Sequence, residues 1–108
     1  MIVKCKRETF VVSHYKNIFQ HFLGLMFKFP SNDGILMEFR EEKNVALHTF
    51  FMLIKIDVVY LNKEKRVIKI LKKVKPFIPY IKSTKCKYIL ELKNSKNIKI
   101  KDKIIIVY

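Results

Sequence analysis

The 108-residue chain has no tryptophan, two glycines, two cysteines and three prolines, and each scarcity closes off a class of chemistry. With Gly24 and Gly34 as its only glycines, it holds no phosphate loop of the Walker or dinucleotide kind, which needs several glycines to bring backbone N–H groups onto a phosphate. Cys5 and Cys86 stand alone, without the C-x-x-C spacing of a zinc or redox site. They are expected to be reduced thiols rather than a bridge. The four serines, Ser13, Ser31, Ser83 and Ser95, lack the context of a nucleophile elbow. No apolar run approaches the roughly 18 residues of a membrane span. The longest, residues 45–56, is broken by His48, Thr49 and Lys55. Lys4, Lys6 and Arg7 put charge where the apolar part of a signal peptide belongs. These absences predict an unprocessed cytoplasmic protein with no membrane association, no metal and no cofactor.

Acidic residues are also few, 9 against 23 Lys and Arg, so the formal charge is +14. The excess is uneven: residues 1–62 carry +2 and residues 63–108 carry +12. A block this positive favours phosphate-bearing partners such as nucleic acid or another polyanion. Its cations are almost all lysine, with Arg7, Arg40 and Arg66 the only guanidinium forks, so contact without base readout is the expected mode. Glutamate does not rise with lysine, as it would in the ion-pair networks of hyperthermophiles: there are 6 Glu. A competing explanation is A/T-rich coding, which enriches Lys, Ile, Asn, Phe and Tyr and leaves a solvated lysine coat that blunts strand edges.

Apolar periodicity favours strands over helices. Residues 9–13 read as a short strand. Ser13 then caps a helix over about residues 14–23, with Ile18, Phe19, Phe22 and Leu23 on one face and Gly24 as its stop. The turn Pro30-Ser31-Asn32-Asp33-Gly34 leads into a strand at 35–39, and near-continuous apolar strands follow at 45–52 and 54–61. Residues 62–65 make a tight, glycine-free connection into a strand at 66–74, giving a hairpin. Pro76 and Pro79 mark an irregular crossing with an exposed pair, Phe77 and Tyr80. Residues 86–92 alternate, with Cys86, Tyr88, Leu90 and Leu92 on one face. Residues 98–103 alternate again with Lys99, Lys101 and Lys103 outward, and 104–107 close the sheet. The expected fold is therefore mainly β (α+β): a compact, partly closed β-barrel of six to eight strands with one or two short helices, in a single domain over 1–108.

His14 and His21 are two helical turns apart on the predicted helix, about 10 Å along its axis, too far to share a metal. His48, Asp57 and Glu91 are the polar residues embedded in the most apolar segments. Brought to one mouth of the barrel they would make an acid/base or ligand pocket. The plainer reading has Asp57 tying down a turn or a lysine, and His48 a satisfied core histidine. No catalytic residue is assigned.

Several segments in order resemble a known family: Gly24-Leu25-Met26-Phe27-Lys28, Gly34-Ile35-Leu36-Met37-Glu38-Phe39, His48-Thr49-Phe50-Phe51-Met52 and Ile54-Lys55-Ile56-Asp57-Val58-Val59-Tyr60-Leu61. Arg66-Val67-Ile68 and Tyr88-Ile89-Leu90-Glu91-Leu92 complete the set. Together they resemble domain-of-unknown-function family 192, also called uncharacterised protein family 0127, over about residues 8–107. The resemblance implies a small β-rich single domain and no particular activity. Many members have tryptophan where His48 stands, proline where Lys55 stands, and glycines near Asn94, Ser95 and Lys101.

The favoured function is a non-catalytic binding module whose Lys-rich half contacts nucleic acid or another polyanion. Its candidate contacts are Lys69, Lys72, Lys73, Lys75, Lys85, Lys87, Lys99 and Lys101, with Phe77 and Tyr80 to stack on bases. The alternative is a small-ligand or hydrolytic pocket at His48, Asp57 and Glu91. A third reading uses Phe19, Phe22, Phe27 and Phe29 as a partner-binding surface, although core packing explains them as well. Oligomeric state is left open.

Overall fold

A computed structural model of the chain describes residues 1–16, 33–47 and 54–108. The described residues contain seven strands and no helix: β1 (Ile2–Cys5), β2 (Glu8–Tyr15), β3 (Gly34–Leu47), β4 (Ile56–Leu61), β5 (Val67–Val74), β6 (Ile81–Leu92) and β7 (Ile105–Val107). They form one sheet in the order β5-β4-β6-β3-β2-β1-β7. The β2–β3 pair is parallel, and the other neighbouring pairs are antiparallel. Among the described residues no helix is long and apolar enough to cross a membrane.

The sheet buries apolar side chains on both faces, which is why its central strands read as unbroken apolar runs. All six residues of β4 are buried. On one face Val3, Cys5, Phe10, Val12, Leu36, Val59, Leu61, Val67, Tyr88, Leu90, Leu92 and Ile104 pack together. On the other, Ile35, Met37, Phe39, Leu47, Ile56, Val58, Tyr60, Cys86 and Ile89 form a second cluster. Each fully buried aliphatic side chain is worth about 1.5–3 kcal/mol relative to exposure, so the central strands carry much of the fold's stability.

The predicted hairpin at residues 61–66 is present, with β4 and β5 paired antiparallel. Asn62 supplies what glycine would have: its side-chain oxygen accepts from the N–H groups of Glu64 (3.0 Å) and Arg66 (2.9 Å), while Lys65 takes the left-handed φ of 64°. Four expectations need correction. His14 and Tyr15 continue β2 by pairing with Leu36 and Met37, so no helix starts there; the remainder of the predicted helix lies outside the described residues. The sheet does not close into a barrel, because its edge strands β5 and β7 do not pair. The segments leading into them are joined by the bridge Arg66–Lys103 and by flanking bonds such as Val67 N–H to Asp102 O at 2.9 Å. Residues 98–103 make a turn rather than a strand, since Asp102 accepts the Lys99 N–H at 2.8 Å and Lys101 adopts a φ of 76°. Cys86 packs in the second cluster while Tyr88 packs in the first, at the point where the pairing of β3 with β6 jumps from Glu38–Tyr88 to Lys43–Cys86. Of the strand predicted over 45–52, residues 45–47 end β3 and the rest lies outside the described residues.

Candidate functional site

Asp57 sits where β5 bulges. Ile56 pairs with Val74 and Val58 with Leu71, so Asp57 alone faces both Lys72 and Lys73. Such a bulge leaves a backbone N–H without a ladder partner, and the Asp57 carboxylate takes it: Lys73 N–H donates to Oδ1 at 2.8 Å. Oδ2 accepts from the Ser95 N–H (2.9 Å), the Ser95 hydroxyl (2.9 Å) and the Lys72 ammonium (3.0 Å). Lys72 also donates to the Ser95 carbonyl at 2.7 Å. Burial alone would raise the Asp57 pKa, but the Lys73 N–H, the Lys72 ammonium and the Ser95 hydroxyl together hold it below the usual aspartate range. The carboxylate is saturated by its neighbours. It acts as a clasp joining β4, the β5 bulge and the segment after β6.

Glu91 is built differently. Its backbone pairs with Val58 on β4 and Ile35 on β3, so its side chain lies on the face of the second cluster. Asp57 pairs with Leu92 and lies on the first. Two residues in adjacent register on neighbouring strands thus point to opposite sides of the sheet, and the structure does not bring Asp57 and Glu91 together. His48 lies outside the described residues, as do His21, Phe19, Phe22, Phe27 and Phe29. Glu91 is 1% exposed, and burial pushes its carboxyl up to about 8. Among the described residues, neither its Oε2 nor the hydroxyl of nearby Tyr60 has a hydrogen-bond partner. Among the described residues no group of three or more His, Cys, Asp or Glu gathers to hold a metal ion.

The candidate cations have separate fates. Lys72 is committed to the clasp, Lys69 reaches Thr84 Oγ1 at 3.2 Å and lies over the Tyr60 ring, and Lys87 donates to the carbonyls of Phe39 and Arg40. Lys73, Lys75, Lys85, Lys99 and Lys101 are exposed. Phe77 and Tyr80, on the connection between β5 and β6, are 62% and 64% exposed. Lys85 and Lys87 share with Arg40 and Lys63 a groove of about 440 Å³, whose remaining lining is Glu41 and Glu42. Glu42 is partly spent, accepting the Lys63 N–H at 2.8 Å. A smaller recess of about 250 Å³ adjoins it, lined by Lys16, Glu38, Phe39, Arg40 and Lys87. Beyond Glu38, His14 Nε2 pairs with Oε1 at 2.8 Å and its ring packs edge-on against Tyr108.

The model of family DUF192, described as Uncharacterized ACR, COG1430, matches residues 1–104. The chain belongs to this family. Its relatives include a UPF0127 protein of Pyrococcus furiosus, 35% identical over 83% of this chain and 78% of that one. A UPF0127 protein of Pyrococcus horikoshii is 37% identical over 64% of this chain and 60% of its own length. Two solved structures share the fold: a protein of unknown function from Novosphingobium aromaticivorans, with TM-score 0.84 at 17% identity over 96% of this chain and 83% of that one, and a candidate transcription regulator from Sinorhizobium meliloti, with TM-score 0.85 at 18% identity over 96% and 91%.

In this DUF192 chain, sequence reasoning passed over four residues that matter to its polar sites. Ser95, which has no nucleophile-elbow context in the sequence, completes the Asp57 clasp. Arg40 lies outside the Lys-rich half and Lys63 at its very start, and both join the groove only through the tertiary fold. Tyr60 was legible in principle, as the one side chain with a polar tip besides Asp57 in the wholly buried β4.

Proposed function

We propose that this DUF192 protein is a non-catalytic binding module that takes the phosphates of a nucleic-acid strand along the groove of Arg40, Lys63, Lys85 and Lys87. The observation that carries the reading is that Arg40 of β3, Lys63 of the β4–β5 turn and Lys85 and Lys87 of β6 line one groove of about 440 Å³ together with Glu41 and Glu42. Lysine-dominated contact suits sequence-independent binding of the backbone, whose affinity comes from displaced counterions. Exposed Phe77 and Tyr80 extend the surface with rings on which unpaired bases stack. A cytoplasmic setting, where nucleic acid is abundant, goes with this reading.

Fluorescence anisotropy with short single- and double-stranded RNA and DNA, between about 0.05 and 0.3 M salt, tests it. The expected result is binding that survives at about 0.15 M salt, where the Debye length is about 8 Å. Neutralising Lys63 and Lys85 to Gln together should flatten the logarithmic salt slope by about 1.4 for single strands. Binding confined to low salt, or a slope untouched by the double variant, overturns the proposal.

A further inference from the structure

The groove and the recess beside it meet at a bulge in β3. Between the pairs Glu38–Tyr88 and Lys43–Cys86, four residues of β3 (39–42) stand opposite the single residue Lys87 of β6. Such a surplus bends a strand and re-aims its side chains, a device common beside functional sites. Lys87 fastens the bulge, its ammonium donating to the carbonyls of Phe39 and Arg40. Glu38, Phe39 and Arg40 line the recess of about 250 Å³, and Arg40, Glu41 and Glu42 line the groove of about 440 Å³, so Arg40 stands at the junction of the two.

Glu38 is the one acidic residue in a recess whose other charges, Lys16, Arg40 and Lys87, are positive. Its Oε1 is held from two sides, accepting from His14 Nε2 at 2.8 Å and from the Tyr108 hydroxyl at 3.4 Å. Among the described residues no hydrogen bond reaches Oε2, and the side chain is 20% exposed, which leaves that oxygen open to a donor from outside. A carboxylate repels phosphate and accepts N–H groups. Glu38 therefore does not extend the phosphate path of the groove; it suits the edge of a base.

Among the common bases, guanine carries two N–H donors side by side, N1–H and the N2 amino group, with no acceptor between them. Adenine and cytosine set a ring nitrogen lone pair beside their amino group, and uracil flanks its N3–H with two carbonyl oxygens, so each turns a lone pair toward the carboxylate. The O6 acceptor of guanine suits the cations that share the recess. Unpaired bases splayed from a strand are read on these edges. A volume of about 250 Å³ lies just under the roughly 300 Å³ at which sites for drug-sized ligands begin, room for one base.

Resting on the reading of the groove as a strand-binding site, we propose that the recess seats an unpaired guanine of the bound strand. Glu38 accepts its N1–H and N2–H groups, His14 and Tyr108 position the carboxylate, and Arg40 holds the adjoining phosphate.

The test is fluorescence anisotropy of the full chain with short oligoadenylate RNA, and with the same strand carrying one central guanosine or one inosine, which lacks the N2 amino group, at about 0.15 M salt. The guanosine strand is expected to bind about tenfold more tightly than oligoadenylate, with the inosine strand between them. Glu38→Gln removes the preference, because its amide oxygen stays with His14 and its NH₂ meets the donors of guanine, while oligoadenylate binds at least as tightly as to the parent. The Lys63→Gln/Lys85→Gln protein binds all three strands more weakly and keeps their order. Equal affinity of the parent for the guanosine and inosine strands overturns the base pocket and leaves the groove standing, as does a Glu38→Gln loss shared by all three strands. Absence of binding to every strand overturns the groove reading and the pocket with it.

Discussion

Replacing Glu91 with glutamine should make the protein more stable at neutral pH, and the size of the gain follows from the carboxyl's surroundings. Glu91 is fully buried among apolar side chains, and burial alone lifts its pKa from 4.5 to about 8. Between those values the unfolded chain releases the proton while the folded chain holds it. The sign is therefore that the stability Glu91 allows is complete below pH 4.5 and declines as pH rises to about 8. At about 1.36 kcal/mol per pKa unit, the loss reaches about 3 kcal/mol at pH 7 and about 5 kcal/mol above pH 8. Glutamine keeps the size and polarity of the protonated acid but does not titrate. Urea unfolding of parent and Glu91→Gln at half-unit steps from pH 4 to pH 8.5 isolates the effect, because every other titrating group cancels in the difference. The expected difference is within about 1 kcal/mol at pH 4, growing to about 3 kcal/mol in favour of the variant at pH 7. A difference that stays flat across the range would refute the reasoning and mean that Glu91 is solvated or paired in the folded protein.

The clasp titrates in the opposite direction. The lowered pKa of Asp57 makes its contribution full above the ordinary aspartate value of 3.8 and lost as pH falls through the lowered one, so Asp57→Asn should cost about 3 kcal/mol at pH 7 and lose that penalty under strong acid, read by urea unfolding. Ser95→Ala should cost less, about 1 kcal/mol, since the backbone N–H of Ser95 still reaches Asp57. Gly34→Ala should be severe: an added Cβ would lie 2.0 Å from the Glu91 carbonyl oxygen, a backbone atom that cannot step aside, so a loss of about 3 kcal/mol or more is expected in thermal or urea unfolding.

The clasp carries a lesson about buried charge. Asp57 and Glu91 both interrupt apolar strands, yet one is saturated with four hydrogen bonds and the other has an orphaned oxygen. The difference arises from the partner strand. Beside Asp57, β5 bulges and offers a backbone N–H and an ammonium; beside Glu91, β3 and β4 run in regular register and offer only Ile35 and Val58. A carboxylate without such donors keeps its proton.

Alternation and apolar runs in the sequence sufficed to reveal the strand-rich class, the β4–β5 hairpin, the aromatic exposure at Phe77 and Tyr80, and the family to which the chain belongs. These features depend on local periodicity, on turn chemistry such as that of Asn62, or on ordered motifs, all of which reside in neighbouring residues. The open sheet, the strand at His14 and Tyr15, the turn at Lys99–Asp102 and the opposite faces of Asp57 and Glu91 were decided by pairing between distant segments. Register is the physical reason: a shift of one residue moves a side chain to the other side of a sheet, and register is set by partners that one-dimensional pattern cannot see. The same holds for charge. The sequence shows how much lysine the second half carries, while only the fold draws Arg40 from β3 and Lys63 from a turn to the groove beside Lys85 and Lys87 and withdraws Lys72 into the clasp of Asp57.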